Sequence, residues 1–73
     1  MTAKRDQEEK LLAIGRALAA REGLPWTEPV SLHYDDTQGA WVLLTNALSR
    51  GRNLRVTIDA DSATVIHHSF LPR

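Results

Sequence analysis

The fold of this chain is decided by the stretch LRVTIDADSATVIHHSFL, which runs from Leu54 to Leu71. In its first part Leu54, Val56 and Ile58 alternate with polar residues. Alternation with a period of two is typical of a β-strand that has one buried face. The segment DADS at 59–62 then predicts a tight turn into another strand. The stretch therefore predicts an antiparallel hairpin, from which the rest of the fold can be worked out.

Upstream of this hairpin the sequence predicts two more strands and one helix. Leu11, Ile14 and Leu18 recur with helical spacing, and Gly23 followed by Pro25 ends that pattern. The predicted elements are a helix at about 4–22 and strands at about 30–34, 40–46, 53–60 and 63–71. We therefore expect residues 1–73 to form a single small α+β domain, with one N-terminal helix packed on a four-stranded antiparallel meander (α-β-β-β-β).

One helix covers only one face of such a sheet. The second and fourth predicted strands are apolar on both of their faces, so large apolar side chains are expected on the uncovered face. Leaving several of these side chains in water would forgo several kcal/mol of folding free energy. A second copy of the chain, or another protein, would cover them. The register leaves two alternatives for each strand: Trp41 with Leu43 or Val42 with Leu44 in the second, and Ile66 with Phe70 or Val65 with Leu71 in the fourth.

Size and composition also favour a partner. A chain of 73 residues buries a modest share of its surface, and the absence of cysteine excludes disulfides and thiolate metal sites. We therefore expect a non-enzymatic, bacterial-type interaction domain that forms a dimer or binds a protein through the open sheet face or an edge strand. The residues expected at that interface are Trp41, Leu43, Ile66, His68 and Phe70.

The sequence contains no motif that is specific for catalysis. His67 and His68 are adjacent in a strand, so they point to opposite faces and cannot both join His33 at one metal ion. Two alternatives stay open: one histidine pair with an acid as a metal site, and a small enzyme whose site is shared across a dimer interface and uses His33 or His68. We expect no catalytic residue, no metal, no cofactor and no small-molecule substrate.

The one local concentration of positive charge is Arg50-Gly-Arg-Asn-Leu-Arg55. Arginine forks suit phosphate and carboxylate groups, so Arg50, Arg52 and Arg55 are candidate contacts for an anion or for nucleic acid. Nine basic and nine acidic side chains leave no net charge, which argues against nonspecific attraction to nucleic acid or to an acidic membrane. A nucleic-acid-binding module is thus the alternative function.

The apolar runs are short. None approaches the roughly 20 residues that a membrane-spanning helix needs, and no secretory apolar segment follows the basic N-terminus. We expect a cytoplasmic protein that does not contact the membrane.

Three segments carry a family resemblance: LLAIGRALAA at 11–20 ending at Gly23, AWVLL at 40–44, and LRVTIDADSATVI at 54–66. Together they resemble the PepSY-like family of small α+β domains over most of residues 11–70. The resemblance implies the same fold and a role in regulating or inhibiting proteases, and it implies no catalytic residues. The glycine common in that family's turn is Ala63 here.

Overall fold

The computed structural model describes residues 3–72 of the chain, with side chains from residue 6 onward. Helix α1 is followed by four strands that form one antiparallel sheet in the order β1-β2-β3-β4. The predicted α-β-β-β-β architecture is therefore confirmed. The elements are α1 (Ala3–Glu22), β1 (Ser31–Asp35), β2 (Ala40–Leu44), β3 (Asn53–Asp59) and β4 (Val65–Leu71).

Helix α1 ends where the sequence predicts. Gly23 has a φ of 68°, and its N–H donates to the Ala20 carbonyl at 3.3 Å while the Leu24 N–H donates to the Ala19 carbonyl at 2.8 Å. This pair of bonds is a Schellman motif, which satisfies carbonyls that the helix end would otherwise leave unpaired. No helix in the described part of the chain has the length and apolarity to span a membrane.

The core lies between α1 and one face of the sheet. The three alternating residues of β3, Leu54, Val56 and Ile58, are fully buried there against the apolar stripe of α1. Helix and sheet approach closely at Gly15, where a Cβ would lie 2.8 Å from Cδ1 of Leu43. Glycine at this position lets the helix rest directly on β2, because any larger residue would displace a packed side chain.

The β1–β2 turn is organised by the Asp35 carboxylate. One oxygen accepts the backbone N–H and the hydroxyl of Thr37, at 3.0 and 2.6 Å, and the other accepts the Gln38 amide at 2.7 Å. Gly39 closes the turn with a φ of 63°, a positive value that glycine adopts without strain. The hydrogen bonds from Thr37 and then Gln38 hold the pKa of Asp35 at about 2.

We expect Asp35→Asn to lower stability at neutral pH, because an amide nitrogen in place of one carboxylate oxygen cannot accept the Gln38 bond, and the remaining neutral oxygen accepts the Thr37 bonds more weakly than a carboxylate does. The pKa of Asp35 is lower in the folded state than in the unfolded one, so its contribution is complete above about pH 4 and disappears as the pH falls toward 2. Thermal unfolding of both proteins at a series of pH values measures this. The difference in melting temperature should shrink over that interval, and a constant difference would contradict the account.

The β3–β4 turn is built in a similar way around Asp59. One carboxylate oxygen accepts the N–H groups of Asp61 and Ser62 and the Ser62 hydroxyl, and the bonds from Ser62 lower the pKa of Asp59. Ala63 follows with a φ of 57°, a left-handed conformation that costs a non-glycine residue roughly 1 kcal/mol. The turn thus keeps the backbone shape that glycine favours, although alanine occupies the position.

Candidate functional site

The face of the sheet opposite α1, hereafter the open face, is mostly polar. Residues paired directly across antiparallel strands share a face, and the register therefore assigns every member of it. Three large apolar side chains lie on this face: Val42 is buried by its neighbours, Leu44 is half-buried, and Leu71, which pairs with Asn53, is exposed. Uncovered apolar side chains are therefore present there, but fewer than predicted. The open face includes Ser31, Leu44, Arg55 and Ser69 in one row, His33, Val42, Thr57 and His67 in the next, and at the two ends Asn53 with Leu71 and Asp35 with Ala40 and Asp59.

The register places three of the five expected interface residues against the core on the helix side of the sheet, and it corrects Leu43. Leu43 is fully buried in the core, and Trp41 and Phe70 are partly buried against it on the helix side. The reason is the alternation of β3: Leu43 pairs with Val56, so both must face the helix. Only Ile66 and His68 of that set are exposed.

A bulge in β4 decides which of its side chains are free. Thr57 pairs with His67 but Ile58 pairs with Val65, so Ile66 is the extra residue between them. Because of this shift, Val65 and Phe70 both pack against the core. Neither of the two regular alternatives for this strand is correct, and the side chains left exposed, at 54% each, are those of Ile66 and Leu71.

The β2–β3 connection is held by the buried side chain of Asn53. Its Nδ2 donates to the carbonyls of Thr45, Asn46 and Ser49 at 2.9, 2.9 and 3.3 Å, and its Oδ1 accepts the Gly51 N–H at 2.7 Å. One side chain therefore makes hydrogen bonds to four backbone groups of the same loop. This fixes the loop that carries Arg50 against the end of the sheet.

The three predicted arginines do not form one cluster. A groove of about 510 Å³ opens at this end of the open face, and Arg50 and Arg55 line it whereas Arg52 does not. None of the three makes an ion pair within residues 3–72, where the ion pairs are Arg16–Glu28 and Arg21–Glu22. The groove is also lined by Leu44 and Leu71, which the sequence offers as alternatives for the uncovered face, and by three residues that the sequence does not indicate, Ser49, Asn53 and Ser69.

Some of these lining residues follow from register alone. Leu44 and Ser69 flank Arg55 directly across the two neighbouring strands. Strand alternation places all three on one face, but which residues face one another depends on the loop lengths and on the β4 bulge. The side-chain amide at Asn53, at the start of a predicted strand, is the one signal in the sequence for the loop itself.

Charge is segregated along the sheet although the chain is neutral. The turns after β1 and β3 lie at the same end of the meander and carry Asp35, Asp36, Asp59 and Asp61, which we call the acidic end. The β2–β3 connection and the last residues of β4 lie at the other end, which we call the basic end, with Arg50, Arg52 and Arg55. The sheet therefore carries charges of opposite sign at its two ends, although the chain has no net charge.

The three histidines do not converge. His33 and His67 lie on the open face but on opposite edge strands, three strand spacings or roughly 14 Å apart. His68 pairs with Val56 and so points to the helix side, which confirms that the two adjacent histidines face opposite ways. No group of three or more metal-ligating side chains occurs among residues 3–72.

A second cleft, of about 330 Å³, lies beside Trp26 at the helix-to-sheet crossover. The Trp26 ring packs against Gly15 and the core, and the Arg16 guanidinium lies 5.2 Å from the ring centroid. Arg16 is also paired with Glu28 at 3.7 Å, so its charge is compensated. The buried indole Nε1 finds no hydrogen-bond partner within the described residues. This cleft thus carries less free charge than the groove at the basic end.

The chain matches no family model, no curated protein and no solved structure.

Proposed function

We propose that this chain is a non-enzymatic protein-interaction domain that forms a homodimer by antiparallel pairing of two β4 strands. The observation that carries the proposal is the free edge of β4, which is the last strand of the sheet and, within residues 3–72, pairs only with β3. Its unpaired N–H and C=O groups are a template for another strand. Pairing about a two-fold axis would join two four-stranded sheets into one of eight strands.

The composition of β4 supports this edge over the other. Proteins protect edge strands with charges, prolines or short length, and β4 has seven residues without a charge or a proline. Its bulge lies at the beginning, which leaves the segment from His67 onward regular. The opposite edge, β1, is five residues long, follows Pro29 and ends in Asp35.

Charge segregation supports a second copy as the partner. In an antiparallel pair the start of one β4, next to the acidic end, lies beside the end of the other, next to the basic end. Arg55 on β3 would then be about 10 Å from the partner's β4, which is comparable with the Debye length at physiological salt. Each copy would thus present its positive end to the negative end of the other.

We expect His67→Lys to weaken dimerisation about tenfold, because an ammonium group added to each β4 would bring two like charges together along the joined edge. His33→Lys is the matched control: it makes the same change on the same face and in the same cross-strand row, but on the β1 edge. Sedimentation velocity over a concentration series measures both dissociation constants. A wild-type protein that stays monomeric at high micromolar concentration would overturn the proposal, and equal weakening by both variants would exclude the β4 edge.

A role as a PepSY-like regulator or inhibitor of proteases is compatible with such a domain and stays a prediction from the sequence. Inhibition assays with the purified chain and a panel of proteases test it directly. The alternative function, nucleic-acid binding, is supported by Arg50, Arg52 and Arg55 at the basic end, which make no ion pair within residues 3–72. The titrations described below distinguish it from the binding of a small anion.

A further inference from the structure

We propose that the groove at the basic end of the open face binds a small amphipathic anion, a carboxylate attached to an apolar chain. The groove lies at one end of the row formed by Leu44, Arg55 and Ser69, and the β2–β3 loop closes that end. Its volume of about 510 Å³ is within the range of small-molecule sites. All of its lining residues come from one copy of the chain, so the site does not depend on the proposed dimer.

The charge of the groove requires an anion. Arg50 and Arg55 line it, neither makes an ion pair within residues 3–72, and no acidic residue is part of the lining. The aspartates of the sheet turns are at the acidic end, on the far side of the strands. A planar guanidinium binds a carboxylate through two parallel hydrogen bonds, and the hydroxyls of Ser49 and Ser69 add further donors at the same site.

The apolar side chains of the groove favour a ligand that has an apolar chain besides its negative charge. Leu44 is half-buried and Leu71 is exposed, and both line the groove beside the arginines. Covering them with an apolar chain would remove hydrocarbon surface from water at about 25 cal/mol per Å². An inorganic anion or acetate would leave that apolar surface exposed to water. An alkyl carboxylate would pair with the arginines and cover Leu44 and Leu71.

The loop makes the site preformed rather than induced. Asn53 binds the Ser49 carbonyl and the Gly51 N–H, the backbone groups on either side of Arg50. The amide of Asn53 is occupied by these bonds, so it acts as a positioning residue that holds the loop. Because the backbone at Arg50 is fixed before binding, the ligand does not have to order it.

The test is a titration of isotope-labelled protein with sodium decanoate, followed by amide chemical shifts in NMR. Acetate lacks the chain and decanol lacks the charge, so these two compounds separate the two parts of the recognition. We expect decanoate to shift the amides of Leu44, Arg55, Ser69 and Leu71, and neither control to do so at the same concentration. The double variant Arg50→Gln/Arg55→Gln should bind decanoate at least about tenfold more weakly.

Arg21→Gln is the matched control, because Arg21 is an exposed arginine on α1 outside the groove. Its decanoate affinity should equal that of the wild type. Equal shifts with acetate or with decanol would overturn the proposal, as would unchanged affinity in the double variant. Binding of a short single-stranded DNA that weakens steeply with salt and depends on Arg52, which does not line the groove, would assign the basic end to nucleic acid instead. A monomeric protein that still binds decanoate would reject the dimer and keep this site.

Discussion

Asn53→Asp should destabilise the protein by roughly 3 kcal/mol at neutral pH, a large part of the stability of a small domain. The Asn53 amide group donates to three carbonyl oxygens, of Thr45, Asn46 and Ser49. A carboxylate in its place would face those oxygens with negative charge in a buried position. Urea unfolding of the wild type and the variant measures the loss.

The pH dependence of that loss identifies its cause. Burial next to three carbonyl oxygens would raise the pKa of the introduced carboxyl above its unfolded value of about 4. The part of the penalty that is due to charge is then complete above the raised pKa and is lost below the unfolded one, so the difference in unfolding free energy between variant and wild type should narrow, without disappearing, as the pH falls. Ser49→Ala, in the same loop, changes an exposed side chain and should stay within about 0.5 kcal/mol of the wild type. If the variant and the wild type differed in unfolding free energy by the same amount at every pH, a buried charge would not be the cause.

Leu43→Ala should cost about 3 kcal/mol of folding free energy, because the side chain is fully buried between β2 and α1 and its removal leaves a cavity. On the helix side, Leu43 lies against Gly15, which has no side chain to fill that space. Thermal or urea unfolding gives the change. The result also tests whether Leu43 is a core residue, as in the structure, or an interface residue, as the sequence predicts.

Leu48→Ala is the matched control, since it makes the same substitution at a leucine that is 87% exposed. It should change stability by less than about 0.5 kcal/mol. If Leu43→Ala left the monomer as stable as Leu48→Ala does and only weakened association, Leu43 would be an interface residue after all, and the assignment of the two sheet faces would have to be reversed.

The elements of this fold are predictable because each has a local cause. The alternation of Leu54, Val56 and Ile58 predicts β3 and its buried side, and Gly23 predicts the end of α1. Asp35 and Gly39 predict the first turn through side-chain acceptors and a positive φ. All of these signals act within a few residues, so they can be detected without knowledge of any distant contact.

The candidate site is predictable only in part. The sequence places Arg50 and Arg55 in one basic segment, and both line the groove together with residues from β2 and β4. Leu44 and Leu71 lie 27 positions apart in the chain, and only the pairing of β3 with both of its neighbours brings them to the same groove. The segregation of charge into two ends depends in the same way on which turns share an end of the sheet.

The sequence alone determines one helix, four strands and the buried side of the central strand, because hydrophobic periodicity and turn chemistry are local properties. It also determines that the chain has no net charge. Tertiary structure decides how the other strands align with β3, and thereby which apolar residues are covered. The β4 bulge is the clearest case: one unpaired residue moves Val65 to the core side and leaves Ile66 exposed. Its position depends on the fit of β4 to β3 and to the core, a balance of long-range packing that no pattern within β4 records.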